Sequence, residues 1–473
     1  MEHSSAHPEL AFASATEIAR RTRSGELSAI DVTRFFLARI EAINPSLNAF
    51  TRVLHNEAIA AAHALDLLPA EERGPLHGVP VGIKAEIKVR GTVTHYGSAA
   101  YITPSRRDAE VVRRLRDAGA IIIGQTAMPE FGIWPFTESA AYGLTRNPWS
   151  LDHSPAGSSG GSAAAVASGM VPVAMGGDGG GSIRLPAAWC GLFGLKPQRG
   201  RVTTAPDTNL WGALGTLGPL TRTVEDSRLV YDVIAGPTSG VDEFTAGAYV
   251  APKDGPLRIA WSTTGPLFSR ADRETRRAVE ETARMLEELG HSVTRIDFSY
   301  PRALSTAFVP QYLDGFGSSA ARAERPSMVE SRTRHARWIG AITRLSAPRT
   351  VRAARERGAQ VAREINAELF ERPGAFDLFL TPVAPHSALK IGQLDGLGYL
   401  RAAWKANRVA GFTTPWNVTG NPAASVPAGF DANGLPVGVQ IVGPPNGEQL
   451  IFQAAAQLQE ARAWNEAYPR VAE

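Results

Sequence analysis

The sequence predicts an α/β fold, a single large domain in which helices pack against a β-sheet. Three observations carry this. Short apolar runs bounded by glycine or proline recur along the chain, as buried strands do. Between them lie stretches with apolar residues at three- and four-residue spacing. Residues 258–296 place strand, helix and strand in succession, the order of a β-α-β unit.

The elements follow in order. Ser14-Ala15-Thr16-Glu17 is a capping box that opens a short helix. Ser28 begins a longer one, with Val32, Phe35, Phe36, Leu37, Ile40 and Ile43 on a broad apolar stripe, and Asn44-Pro45 is expected to end it. Pro80-Val81-Gly82-Ile83 is a short strand leading into Lys84. Ala109 to Ala118 reads as a helix and Ala120 to Gly124 as a buried strand. The alanine-rich run from Ser162 to Ser168 should form a tightly packed helix. Val171 to Met175 is a strand running into a glycine loop before Ser182, which puts that serine at the edge of a sheet, where ligand sites of α/β folds lie. Arg258–Trp261 and His291–Ile296 are strands flanking a helix from Asp272 to Leu289. Val279, Ala283, Leu286 and Leu289 share one face of that helix and Gly290 stops it. Residues 301 to about 370 are arginine-rich with a helical pattern, suited to a cap over the site. Phe376–Leu380 is a last strong strand, ending in Thr381-Pro382.

Bulk composition bounds the rest. The 473 residues would suggest three domains by length alone, at roughly 150 residues each. No linker, charge run, low-complexity tract or repeat divides them, so one domain over 1–473 is expected. Its core spans about 70–230, the β-α-β and cap segment about 255–375, and a C-terminal sheet and helix segment 376–473. The net charge of +3, from 49 basic and 46 acidic residues, points to no nucleic-acid or membrane partner. Cys190 is the only cysteine, which excludes an intramolecular disulfide or a cysteine-rich metal site and fits the cytoplasm. Met1 to Glu9 has no apolar segment of the secretory type. The longest apolar run, Ala163 to Met175, is too short to span a bilayer.

The chemistry sits in two glycine/serine clusters and one lysine. Gly157-Ser158-Ser159-Gly160-Gly161-Ser162 comes first, and Gly177-Asp178-Gly179-Gly180-Gly181-Ser182-Ile183-Arg184 follows. Lys84 lies far upstream, after an apolar run. Two serines and a lysine can relay a proton without histidine. A serine hydroxyl is too weakly acidic to attack unaided, but a lysine whose pKa burial lowers from about 10.4 to roughly 7–8 can serve as its base. Glycines let backbone N–H groups approach a developing oxyanion. Other readings stand beside this one. A glycine run is commonly a flexible loop, and a lone lysine is commonly on the surface. A phosphate cradle lacks its Gly-Lys-Ser/Thr. Gly157-Ser158-Ser159-Gly160-Gly161 also matches a nucleophile elbow, with Ser159 served by His291, His335 or His386. Cys190 reads as a buried hydrophobe, and His77 and His95 as structural. The scattered histidines show no metal-ligand spacing, so no metal is expected. Phe131, Trp134, Phe136, Trp211 and Leu214 are core aromatics and aliphatics by default.

Taken together, the two clusters, Gly194-Leu195-Lys196-Pro197, Asn147-Pro148-Trp149 and Gly434-Leu435-Pro436-Val437-Gly438-Val439-Gln440 resemble the amidase signature family, from about residue 14 to the C-terminus. The resemblance implies a central mixed β-sheet flanked by helices on both faces, with a helical cap region. It implies Ser182 as nucleophile, Lys84 as general base, and Ser158, held through a cis peptide bond, as the bridge between them. Gly179, Gly180 and Gly181, with the Ser182 amide, would be oxyanion donors, and Ser159, Asp178 and Arg184 would brace the loops. Trp134, Phe136 and Trp211 fall in segments that flank the family's site and are candidates for an apolar acyl pocket. The implied activity is hydrolysis of small or medium neutral amides without cofactor, extending to anilides, carbamates and esters, by a monomer or homodimer acting on a small-molecule substrate. The alternatives are the glutaminase subunit of a tRNA-dependent amidotransferase and an inactive binding protein. Leu214 to Pro219 and Leu185 depart from the amidotransferase subunit's pattern. Ala85 stands where the family usually has aspartate, leaving Glu86 as a substitute brace, and Asn421 stands where many relatives carry leucine.

Overall fold

The computed structural model describes residues 8–207, 210–266 and 269–472. The polar segment before Pro8, read above for a missing secretory signal, lies outside them. Thirteen strands are present among the described residues: β1 (Phe50–Val53), β2 (Pro80–Lys84), β3 (Ile121–Thr126), β4 (Glu138–Ser139), β5 (Gly143–Leu144), β6 (Val173–Asp178), β7 (Phe193–Lys196), β8 (Thr216–Thr221), β9 (Arg258–Trp261), β10 (Ser292–Arg295), β11 (Leu378–Pro382), β12 (Ala423–Phe430) and β13 (Pro436–Val442). β4 and β5 form a small ribbon, and the other eleven form one sheet in the order β1-β3-β2-β6-β8-β7-β12-β13-β11-β9-β10. β3, β2 and β6 run parallel to one another, as do β10, β9 and β11. Antiparallel pairs join these two groups through β8, β7, β12 and β13, so the sheet is mixed.

Both faces of the sheet are covered. Leu378 and Leu380 of β11 belong to one hydrophobic cluster and Phe379 between them to a second. Side chains alternate across a strand, so the two clusters lie on opposite faces. The first cluster takes in the N-terminal helices Ala15–Ser24 and Ala29–Leu47 with helices Glu110–Asp117, Gly160–Ala167 and Arg273–Glu288. The second joins Trp134, Phe136 and Trp189 to helices Leu304–Ala321, Ser331–Ile342 and Pro348–Asn366, the predicted cap, and to Tyr399–Ala410, which the sequence reading had not assigned to it.

Two expectations are corrected. Pro45 does not end its helix but occupies the last turn, at the cost of one backbone N–H bond, and Ser46 and Leu47 complete the helix. The stop is Asn48, in the left-handed conformation with its N–H on Asn44 O. The Asn44 side chain then accepts from Ala49 N and Phe50 N, both at 2.8 Å, and turns the chain into β1. The Ser182 loop does not sit at a lateral edge either. It leaves the C-terminal end of β6, an interior strand between β2 and β8. Among the described residues no helix is long and apolar enough to cross a membrane.

Candidate active site

β2 and β6 are parallel neighbours, with Val81 opposite Val173 and Ile83 opposite Met175. Their C-terminal ends therefore lie side by side. β2 ends in Lys84, and β6 ends in Asp178 and continues into the glycine loop of Ser182. The chain bearing Ser158 and Ser159 enters helix Gly160–Ala167 just below. Ser162 Oγ fixes that helix by donating to Met175 O at 2.9 Å and meeting Thr126 Oγ1 at 2.7 Å. A Cβ on Gly161 would fall 2.3 Å from Ala127 N, so this approach to the backbone requires glycine.

Lys84 is fully buried. Its Nζ donates to Ser158 Oγ at 2.7 Å and to Gly177 O at 3.3 Å. Glu86 Oε1 lies 2.9 Å from the same nitrogen but is not aligned as a hydrogen bond. Burial pushes the Lys84 ammonium below the usual lysine range, while the charges of Glu86 and, more weakly, Asp178 oppose that fall. Ser158 is buried and follows a cis Gly157–Ser158 peptide bond. A Cβ on Gly132 would sit 3.0 Å from Ser158 Oγ and 2.8 Å from Trp211, so the Ser158 hydroxyl lies against the wall of the pocket that Gly132 and Trp211 line.

The glycine loop is tied down from below. Asp178 Oδ1 accepts from Gly181 N at 2.7 Å, and Oδ2 accepts from Ile183 N at 3.2 Å and Arg184 N at 3.4 Å. Arg184 meets the same carboxylate through Nε and Nη2, both at 2.9 Å, and donates onward to Thr413 O, Gln440 Oε1 and Asn417 Oδ1. Asn417 Nδ2 returns to Asp178 Oδ1 at 2.9 Å. Burial alone would raise the Asp178 carboxyl, but the Arg184 charge and these donors hold it well below the usual carboxylate range. Ser159 Oγ donates to Gly177 O at 3.2 Å, and Ser159 N to Ser182 O at the same distance. Thr413 Oγ1 donates to Gly180 O at 2.7 Å. The Gly181 N–H is thus committed to Asp178 and braces the loop instead of facing the pocket, contrary to its expected place among the oxyanion donors. Gly179 and Gly180 do line the pocket.

That pocket encloses about 720 Å³, including its mouth. Ser182 is partly exposed on its wall. Trp134 and Trp211 line it. Phe136 does not: it is fully buried and packs against Trp189, with ring centroids 6.2 Å apart. Phe131 stacks near Tyr96 and Tyr101 instead. The remaining wall comes from the cap, through Phe308, Tyr312, Tyr399 and Asn407, none of which the sequence singled out. Thr413 and Asn417 were also missed, and Gln440 was seen only as the end of the Gly434–Gln440 motif, with no role given. Their only signal was polar side chains among apolar neighbours such as Phe412, Trp416 and Val439.

The other candidates are placed as follows. His291 accepts from Leu257 N and pairs with Gln457, and His386 packs on Trp189, so neither supplies a base to Ser159. His95 bonds Thr51 and Gly97 N, and burial lowers it to about 4. His77 is buried. Burial pushes the Cys190 thiol up. Asn421 donates to Asn366 Oδ1 and Gly443 O, clamping the cap helix Pro348–Asn366 to the end of the sheet. No group of three or more His, Cys, Asp or Glu side chains among the described residues is arranged to hold a metal ion.

A parallel pair of strands thus presents a buried lysine bound to a serine, beside a glycine loop with a second serine, under an aromatic cap. The model of the Amidase family matches residues 31–452, and the chain belongs to that family. It is 42% identical over 466 residues to a Mycobacterium tuberculosis protein named as amidase AmiB2, covering 98% of this chain and 99% of that one. Among solved structures it is similar to 6-aminohexanoate cyclic dimer hydrolase complexed with substrate, at TM-score 0.87 and 30% identity, covering 98% of this chain and 100% of that one. It is also similar to a bacterial aryl acylamidase of the amidase signature family, at TM-score 0.84 and 27% identity, covering 98% of both chains. The protein is an amidase-family hydrolase of C–N amide bonds.

Proposed function

We propose that Ser182, Ser158 and Lys84 form a catalytic triad that hydrolyses neutral linear amides of apolar acyl or aryl groups. The observation that carries this is the 2.7 Å bond from the buried Lys84 Nζ to Ser158 Oγ. Neutral Lys84 draws the Ser158 proton, Ser158 takes that of Ser182, and Ser182 Oγ attacks the carbonyl carbon. Gly179 and Gly180 border the position where the oxyanion develops. Collapse of the tetrahedral adduct breaks the C–N bond, and the leaving nitrogen takes its proton from Ser158, which Lys84 resupplies. Water, activated through the same relay, then hydrolyses the acyl-enzyme and restores Ser182.

The substrate class rests on the pocket. Trp134, Trp211, Phe308, Tyr312 and Tyr399 surround it and none of its lining side chains is charged. An uncharged aryl or alkyl acyl group suits it. Similarity to an aryl acylamidase supports anilides. Carbamates and esters present the same carbonyl to the same nucleophile and are included. Free glutamine would leave its ammonium and carboxylate without partners there, which disfavours the amidotransferase-subunit reading. The enzyme is read as cofactor-free and cytoplasmic, a monomer or homodimer.

The test is a panel of benzamide, a nitroanilide, an aryl carbamate, a nitrophenyl ester and glutamine, with wild type, Ser182→Ala and Lys84→Ala, plus labelling by a fluorophosphonate. Turnover of the neutral substrates that Ser182→Ala abolishes and Lys84→Ala strongly reduces is the expected result. Activity surviving Ser182→Ala refutes the nucleophile. Glutamine-only turnover establishes the amidotransferase reading.

A further inference from the structure

A second cavity adjoins the one just described. It encloses about 780 Å³ with its mouth and is lined by Leu304, Phe308, Val309, Trp404, Asn407 and Arg408, among others. Four residues, Phe308, Val309, Asn407 and Thr414, line both cavities. The two spaces are therefore chambers on either side of one thin partition. That partition stands at the reacting centre: a Cβ on Gly180 would lie 3.3 Å from Phe308 and 3.6 Å from Thr414. The second space thus begins one side chain away from Gly180, on the far side of Phe308 and Thr414 from the aromatic pocket.

The two chambers differ in chemistry. Among the described residues the first holds no charged side chain. The second is apolar along Leu304, Phe308 and Val309 and carries one cation, Arg408, beside the exposed Trp404. The Arg408 guanidinium lies 4.9 Å from the Trp404 ring centroid, which orients it without neutralising it. Among the described residues no carboxylate lies within ion-pair distance of Arg408, whereas Arg201 and Arg184, also near the sheet's end, each hold one. A largely apolar cavity with one exposed cation at its rim is complementary to a chain of methylenes or an aryl spacer ending in an anion.

We propose that the preferred substrates are two-armed amides, one arm an uncharged aryl or alkyl group and the other an apolar spacer ending in a carboxylate that Arg408 receives. The inference rests on the amidase reading above and departs from its neutral substrates in one respect, adding an anion to the arm that lies outside the aromatic pocket. It distinguishes secondary amides from the primary amides that would leave the second chamber empty.

The experiment uses two isomeric series with spacers of two to six methylenes. In one, benzoyl amides carry the carboxylate on the amine arm; in the other, anilides carry it on the acyl arm. Each is compared with its methyl-terminated counterpart, with benzamide as reference. In one series, at one spacer length, the carboxylate-ended member is expected to exceed its counterpart in kcat/KM by about fivefold, the upper end for a solvent-exposed ion pair. Arg408→Gln collapses that ratio to about one, Arg408→Glu inverts it, and Arg408→Lys retains it in part. Benzamide turnover without any carboxylate preference, or a preference that survives Arg408→Gln, overturns this inference alone. Failure to hydrolyse benzamide, the anilides and every other amide overturns the amidase reading and this inference with it.

Discussion

Asp178→Asn is the sharpest probe of what holds the glycine loop in place. Six donors converge on the carboxylate. Gly181 N, Arg184 Nη2 and Asn417 Nδ2 meet Oδ1, and Ile183 N, Arg184 N and Arg184 Nε meet Oδ2. An asparagine offers one acceptor oxygen. In either amide orientation its NH₂ faces three donors, and the fully buried Arg184 guanidinium loses its counter-charge. Breaking a buried pair in this way costs about 3–5 kcal/mol, a large share of the 5–15 kcal/mol typical of whole-protein stability. The loop then loses its anchor at Gly181, and misplacing one oxyanion donor is worth about 10²–10³ in kcat. Chemical unfolding and steady-state kinetics on one neutral amide measure both effects. Stability within about 1 kcal/mol of wild type, with kcat essentially unchanged, refutes the argument that this network positions the loop. The pH dependence adds a second check. The folded carboxyl is held below its unfolded value, so its stabilisation is complete above the ordinary carboxylate range and is lost progressively as pH falls from that range through the depressed folded value. The substituted protein lacks that acid limb.

Three further perturbations test neighbouring parts of the site. Glu86→Gln removes the charge 2.9 Å from Lys84 Nζ, so the neutral amine persists to lower pH and the acid limb of kcat/KM moves down; an unmoved or raised limb rejects Lys84 as the base. Gly132→Ala places a Cβ against Trp211 and Ser158 at a φ of +67°, and is expected to cost about 1–2 kcal/mol in stability from the left-handed backbone and to lower kcat by displacing Ser158; wild-type kinetics would contradict that contact. Glu130, buried, accepts from Ser98 Oγ, Thr333 Oγ1 and Glu330 N and so joins the pocket loop to the start of cap helix Ser331–Ile342. Glu130→Ala should cost about 2–4 kcal/mol and make the cap the first site of limited proteolysis, and cleavage elsewhere first would argue against a bracing role.

Much of this molecule was legible along the chain. Strands β2, β3, β6, β9, β10 and β11 and the helices Glu110–Asp117, Gly160–Ala167 and Arg273–Glu288 announce themselves because each is a local pattern closed by glycine, proline or a capping side chain. Ser14 and Ser28 do cap the helices they introduce. The two glycine/serine clusters and Lys84 were likewise visible, since close backbone approach restricts those positions to small residues whatever surrounds them. Strands β8 and β12 were not, because Pro219 and Pro427 lie inside them and a proline within an apolar run reads as a break. β7 pairs with β8 and with the distant β12, and β13 follows β12 in a hairpin whose first strand carries Pro427. Spacing along the chain likewise could not say that Phe136 turns into the core while Phe308 reaches the pocket.

The reactive groups and the local structures that carry them follow from short-range patterns in the chain. Their company is set by the folded sheet and cap. The Arg184 side chain meets Gln440 and Asn417, 256 and 233 positions away, and the Gly181 N–H is spent on Asp178 and not left for substrate. The cap brings Tyr312 OH onto Ile133 O and stands Phe308 and Thr414 against Gly180. Local propensity acts over a few residues, whereas burial and hydrogen-bond satisfaction are settled between segments far apart in the chain, after the sheet has brought them together.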